Sequence, residues 1–197
     1  MAFKLLTVCT GNICRSPYAE LLLREKLDAS RFEVDSAGTG ALVGHPMPDE
    51  LLEIAARNGI EGAPEHRGQQ LTEELIVDSD LIFALSREHR SQVVQMHPRA
   101  NRYTFTLIEF ARIARAIPED ELREGVAGRR NVERAAFQTL SELRGIVPPP
   151  ESQSDLDITD PYRREFEVYE ASAQAITGAV SVIVAYFQRA RWLSTQE

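Results

Sequence analysis

The chain has 197 residues, with 22 Lys+Arg against 30 Asp+Glu and a formal net charge of −8. At roughly 100–200 residues per domain this is one domain, and 43% hydrophobic against 26% charged residues excludes wholesale disorder. The acidic balance argues against a nucleic-acid partner or an anionic membrane, while leaving room for a local basic pocket.

Phe3 to Val8 is a short apolar run before a Gly-containing turn, which predicts a buried strand. Pro17 to Leu27 predicts a helix, because proline suits the first turn and Ala19, Leu22, Leu23 and Leu27 share a face. Arg31 to Ser36 alternates, with Phe32 and Val34 on one side, and predicts a second strand ending in Ser36-Ala37-Gly38. Pro48 to Asn58 is a second helix, with Asp49 and Glu50 in its first turn and Gly59 as its C-terminal cap. Thr72 to Ser79 is a shorter helix with Thr72 as N-cap. Asp80 to Leu85 is a third buried strand, Arg87 to Met96 a helix, Tyr103 to Phe105 a fourth strand, and Thr106 to Ala116 another helix. Strands alternating with helices imply an α/β fold: one three-layer domain over residues 1–197, with a four-stranded parallel sheet and helices on both faces.

Residues 118–158 break this rhythm. Pro118 and Pro148 to Pro150 bracket a helix from Asn131 to Arg144, with Val132, Ala136, Leu140 and Leu143 as its stripe and Gly145 as its stop. The stretch reads as a helical insertion. Tyr162, Phe166, Tyr169, Ala173, Ile176, Val180, Ile183 and Phe187 then alternate intervals of four and three, which predicts a long core helix.

The only cysteines, Cys9 and Cys14, exclude a disulfide-stapled secreted scaffold. Neither they nor His45, His66, His89 and His97 have zinc-ligand spacing, so no metal and no cofactor is expected. No apolar run approaches the ~20 residues of a membrane span, and Met1 to Thr10 does not read as a signal peptide. A reducing, cytoplasmic setting is the expectation.

The chemistry lies in Cys9-Thr10-Gly11-Asn12-Ile13-Cys14-Arg15-Ser16-Pro17, between the first strand and the first helix. A loop entering a helix can turn successive N–H groups toward a phosphate. Gly11 allows close backbone approach or a positive φ, and Asn12 tolerates a left-handed conformation. Arg15 offers a planar fork for two phosphate oxygens. The same positive groups predict a lowered thiol pKa at Cys9; comparable sites span roughly 3.5–7.5 against ~8.5 for free cysteine. Cys14 has two compatible readings, as an apolar packing residue or as a reversible disulfide partner that protects Cys9.

A leaving group needs a proton, so a carboxylic acid must face this loop. Asp160, in Thr159-Asp160-Pro161-Tyr162, is the candidate, with Asp155 and Asp157 as rivals. Locally, Asp before Pro also reads as the N-cap of the long helix.

These residues resemble the low-molecular-weight protein tyrosine phosphatase family. The likeness runs from Val8 to Pro17, with Ala19-Glu20 following, and continues at Ser36 to Thr39, at His66-Arg67 ahead of Leu71, at Asp80 to Ile82 and at Asp160 to Tyr162. It implies Cys9 as nucleophile, Arg15 as phosphate clamp and Asp160 as general acid and then base. Thr10, Gly11, Asn12, Ile13, Cys14 and Ser16 would cradle substrate, Tyr162 would wall the cleft, and Ser36 and His66 would support the loop. It implies a tyrosine-phosphorylated protein or aryl phosphate as substrate, and inorganic phosphate or other oxyanions as inhibitors.

The sequence departs from the family pattern at Arg163, where a second tyrosine is common. The opposite wall, Gly40 to Pro46, carries Leu42 and His45 but no Trp or Tyr, so aromatic contact is expected from Tyr162 alone. Three other readings compete. A protein-arginine phosphatase would use the same cradle, but relatives of that kind carry Thr where Ile13 stands, and a bulkier apolar side chain favours a phenyl phosphate. An arsenate reductase needs relay cysteines, and none follows Cys14. A passive phosphate-binding module has no use for a nucleophile.

Overall fold

Strand β1 (Phe3–Cys9) sends alternate side chains into two separate cores, and this sets the architecture. Phe3, Leu5 and Cys9 join one core, whereas Leu6 and Val8 join the other. In the computed structural model, which describes residues 2–196, β1 is flanked by β2 (Phe32–Gly38) and β3 (Leu81–Ala84), and β4 (Thr104–Thr106) completes the sheet. The order is β2-β1-β3-β4 and every pairing is parallel. Cys9 pairs with Gly38, and Ala84 pairs with both Val8 and Thr106, so the carboxyl ends of all four strands lie level. Ligand sites of open α/β sheets form at that edge.

Helices α1 (Arg15–Lys26), α2 (Asp49–Arg57), α3 (Glu73–Asp78), α4 (Arg87–Met96) and α5 (Leu107–Ala116) connect and follow the strands. Ile76 of α3 and Val93 of α4 cover one face with Leu6, Val8 and Ile82. The other face holds the larger core, built around the rings of Phe3, Phe83, Phe105, Phe110 and Phe187. Phe110 meets Phe83 edge-on with ring centroids 5.1 Å apart. Thr72, Thr106 and Asn131 accept first-turn amides as N-caps, and Thr106 with Glu109 forms a full capping box.

Residues 118–158 contain α6 (Glu119–Val126), which the sequence reading lacks, then α7 (Val132–Glu142) and a short 3-10 turn at Gln153–Leu156. Leu122, Val126, Ala136 and Leu140 join the larger core, so the stretch is continuous with the domain. The final helix, α8 (Phe166–Leu193), packs against α5, α1 and α7. It starts at Phe166 and not at Tyr162, because a turn closed by Arg164 N donating to Pro161 O at 2.9 Å intervenes. A second correction concerns its length: at 28 residues α8 is long and apolar enough to cross a membrane by length and composition. Its buried side chains, including Tyr169, Ile176, Ile183 and Phe187, are packed inside the larger core, the arrangement of a core helix.

Candidate active site

The site forms where β1 stops and α1 starts. The N-cap of α1 is Cys14, which makes no side-chain capping bond, and the first turn holds no acid. The leading amides of α1 are therefore free of side-chain competitors, the condition for an anion site at a helix start. Cys9 Sγ is buried 3.0 Å from Ser16 Oγ. Ser16 Oγ accepts from Asn12 Nδ2 at 2.9 Å, and its own proton has two acceptors in reach, the sulfur at 3.0 Å and the Ala37 carbonyl at 3.5 Å.

Arg15 is 5% exposed and held on two sides. Nη1 donates to Ile158 O at 3.0 Å, and Nη2 lies 2.7 Å from Asp160 Oδ2. Its Nε is buried with no protein partner, a donor suited to an anion's oxygen. The Asp160 side chain is 50% exposed. Cys9, Arg15 and Asp160 line one pocket of about 200 Å³, and Ile13, Leu42 and Tyr162 give it apolar walls. His45 does not line it; Leu42 and Gly40 form that side, and Tyr162 is the one aromatic wall.

Asn12 sets the loop's shape. It is fully buried with φ +53°. Its Nδ2 also donates to Ser36 Oγ at 2.8 Å, its Oδ1 accepts from Gln69 N at 2.8 Å, and its backbone oxygen lies 2.7 Å from His66 Nε2. Four partners hold a backbone conformation that costs free energy elsewhere. The positive φ falls on Asn12 and not on Gly11, where an added Cβ would meet only ordinary contacts, so Gly11's expected conformational role is corrected. The close approach is at Gly38, where a Cβ would sit 2.4 Å from Thr10 O.

Ser36 Oγ in turn donates a hydrogen bond to the Glu20 carboxylate, which is buried and paired with Arg24 at 2.7 Å. Burial raises the Glu20 pKa, while Ser36 and Arg24 oppose that rise. Burial lowers the His66 pKa against the opposing bond to Asn12. Burial pushes the Cys14 thiol upward, with Cys9 and Asp160 adding to the effect, as suits a packed thiol.

Three supporting residues had no role assigned from sequence: Glu20, which falls within the family likeness, and Gln69 and His89. His89 is buried, with Nε2 2.9 Å from Thr10 Oγ1 and Nδ1 2.9 Å from Ser86 Oγ. Burial, with nearby Arg15 adding, pushes its pKa down to about 4, so the ring is neutral at pH 7. The rival acids have other work. Asp155 caps the 3-10 turn with Ser152, and Asp157 binds the Arg87 amide at 2.7 Å and its guanidinium at 2.8 Å. The N-cap reading of Asp160 is also corrected: Glu165 stands at that position, and Asp160 Oδ1 accepts from Tyr162 N at 3.2 Å. Arg163 adopts φ +60° and lies over the Tyr162 ring, 5.0 Å from its centroid. Among the described residues, no cluster of His, Cys, Asp and Glu has the makings of a metal site.

A model of the family described as low molecular weight phosphotyrosine protein phosphatase matches residues 4–139. The chain is 40% identical over 114 residues to the probable low molecular weight protein-tyrosine-phosphatase EpsP of Ralstonia nicotianae, covering 58% of this chain and 77% of that one. It is 34% identical over 143 residues to a protein-arginine-phosphatase of Geobacillus stearothermophilus, covering 73% of this chain and 92% of that one. The crystal structure of the Erwinia amylovora tyrosine phosphatase AmsI superposes with a TM-score of 0.66 at 25% identity, covering 94% of this chain and 93% of that one. With a family match across the sheet and the cradle, and with this architecture shared over nearly the whole length, the chain belongs to the low molecular weight phosphotyrosine protein phosphatase family.

Proposed function

We propose that the chain hydrolyses phosphotyrosine in proteins through a cysteinyl-phosphate. The Cys9 thiolate attacks phosphorus, forming the S–P bond as the P–O bond to the phenol breaks. Arg15 and the loop amides hold the three non-bridging oxygens. Asp160 gives its proton to the departing phenolate oxygen. Its carboxylate then takes a proton from the attacking water as the S–P bond breaks, and inorganic phosphate leaves. Ser16 donates to the released thiolate.

The observation that carries this reading is convergence. Cys9 and Arg15 from one end of the chain and Asp160 from the other line a single pocket at the start of α1. A bound phosphoryl group competes with Asp160 for Arg15, which frees the carboxyl to face the leaving oxygen. The apolar walls at Ile13, Leu42 and Tyr162 suit a phenyl ring better than a charged guanidino group. Phosphate, vanadate and similar oxyanions are competitive inhibitors on this reading. The reducing cytoplasm is the proposed setting, because a thiol nucleophile must stay reduced and both cysteines are free.

The test compares phosphotyrosine, phosphoserine and phosphoarginine substrates, with a chelator present throughout. Phosphotyrosine should be hydrolysed fastest, and Cys9→Ser should abolish turnover while vanadate still binds. Ile13→Thr should move selectivity toward phosphoarginine. Faster hydrolysis of phosphoarginine by the unaltered chain overturns the substrate assignment, and loss of rate to the chelator overturns the metal-independent chemistry.

A further inference from the structure

The segment after α7 folds back over α4 and α5 and encloses a cleft of about 210 Å³. Pro148 to Pro150 and Leu156 form its wall, and Arg87, Arg90 and Arg112 line it. The carboxylates within reach are already taken. Arg144 grips Glu109 with two bonds of 2.9 and 3.0 Å, and Arg87 grips Asp157. Among the described residues, Arg90 and Arg112 have no carboxylate partner. Arg90 donates to Asn101 Oδ1 at 3.0 Å, and its Nε is buried with no partner. Arg112 donates only to the Pro148 carbonyl, at 3.1 Å. Burial, and after it the nearby Arg144, lower the Arg90 pKa, with Glu109 opposing.

Three guanidiniums thus line the cleft and a fourth, Arg144, lies beside it, against two carboxylates, in a chain whose net charge is −8. Like charges held together repel, and an anion between them relieves that cost. The cleft also neighbours the catalytic groove. Arg87 borders both the cleft and a shallow channel lined by Thr10, Arg15 and Asp160. Arg90 directly follows His89, whose ring touches the cradle at Thr10.

We propose that this cleft is a second anion subsite, in which Arg90 and Arg112 hold a carboxylate or phosphoryl group carried on the same polypeptide as the phosphotyrosine. The inference rests on the phosphatase reading and narrows its substrate class to phosphotyrosine with an acidic or phosphorylated neighbour. It also gives the stretch after α7 a task, since Pro148 and Leu156 close the cleft.

The experiment uses phosphotyrosine peptides with Glu, phosphoserine or Ala placed in turn at each position from two to six residues on either side, beside a small aryl phosphate. At low salt, kcat/KM should favour a Glu or phosphoserine peptide over the Ala peptide about tenfold, mainly through KM, and high salt should erase the preference. Arg90→Gln with Arg112→Gln should remove the preference while leaving aryl phosphate hydrolysis unchanged, and the charge-keeping Arg90→Lys with Arg112→Lys should retain most of it. The Glu and phosphoserine arms tell which anion the cleft takes. An unaltered chain that cannot hydrolyse the aryl phosphate sinks the phosphatase reading itself. Normal aryl phosphate hydrolysis with no peptide preference, or a preference that survives the glutamine changes, overturns the subsite alone.

Discussion

Asp160 and an incoming phosphate want the same guanidinium. Asp160 Oδ2 sits 2.7 Å from Arg15 Nη2, so the carboxylate is both a proton donor in waiting and a competitor for the clamp. Asp160→Asn therefore has two opposed effects. Hydrolysis of substrates with poor leaving groups should fall by roughly 10²–10⁴, the usual worth of general acid catalysis, and good leaving groups should lose less. Phosphate or vanadate should bind several-fold tighter, because a negative neighbour has gone. Steady-state rates across aryl phosphates of different leaving-group pKa, with oxyanion titrations, check both; an equal loss on all leaving groups points to a structural role. The residues from Cys9 to Ser16 were legible in sequence because the cradle is contiguous. Asp160 looked locally like a helix cap, and only the turn from Pro161 to Arg164 shows that the helix begins later. The roles of His89, Glu20 and Gln69 were not legible, because a lone polar residue acquires its role from whatever the fold packs against it.

Between helices, the clearest constraint is the crossing of α6 and α7. A Cβ on Gly125 would lie 2.0 Å from Thr139 Oγ1. Thr139 is buried, and its hydroxyl donates to Ala135 O at 3.1 Å, so rotating away forfeits that bond. Alanine normally improves a helix by about 0.5–1 kcal/mol over glycine. Here overpacking, typically about 1–3 kcal/mol, opposes that gain and should win. Gly125→Ala should lower Tm by a few degrees, and adding Thr139→Ala should recover most of the loss; calorimetry of the three proteins decides it, and a rise in Tm for the single change refutes the argument. Helix α6 itself was missed in sequence because it has only eight residues and an internal glycine. Its signals were present in Pro118, three first-turn acids, and Leu122 and Val126 one turn apart. The alternation of α1 to α5 with four strands was legible because apolar periodicity changes where each strand gives way to a helix. The exact start of α8 was not, because Tyr162 continues the apolar spacing through a turn that hydrogen bonding, not hydrophobicity, creates.

The molecule as a whole should be sensitive to acid. His89 has a folded pKa of about 4 against an ordinary 6.5. Between those values the unfolded chain binds a proton that the folded chain refuses. Stability is therefore full above about pH 6.5 and falls as the pH drops toward 4. The loss from this one ring is about 2 kcal/mol between pH 7 and pH 5. His66, also lowered by burial, adds to it with the same sign. Glu20 is raised, so its contribution runs the other way, growing as pH falls. Denaturant midpoints at pH 7 and pH 5 should differ accordingly, and His89→Gln should flatten the difference; equal slopes in both proteins would refute the assignment to His89.

The route by which Asp160 reaches the pocket has a consequence for how this chain tolerates change. After the excursion through α6, α7 and the proline run, Asp157 seizes the start of α4, Ile158 N donates to Leu85 O at 2.9 Å, and Ile158 O receives Arg15. Two adjacent residues thus clasp the returning chain to the end of β3 and to the phosphate clamp itself. The proton donor two residues later is thereby indexed to the same frame. The acid's position therefore leans on this clasp, so changes confined to the exposed turns around Gly145 to Pro149 should leave it in place, whereas α6 and α7 stay fixed by their core side chains.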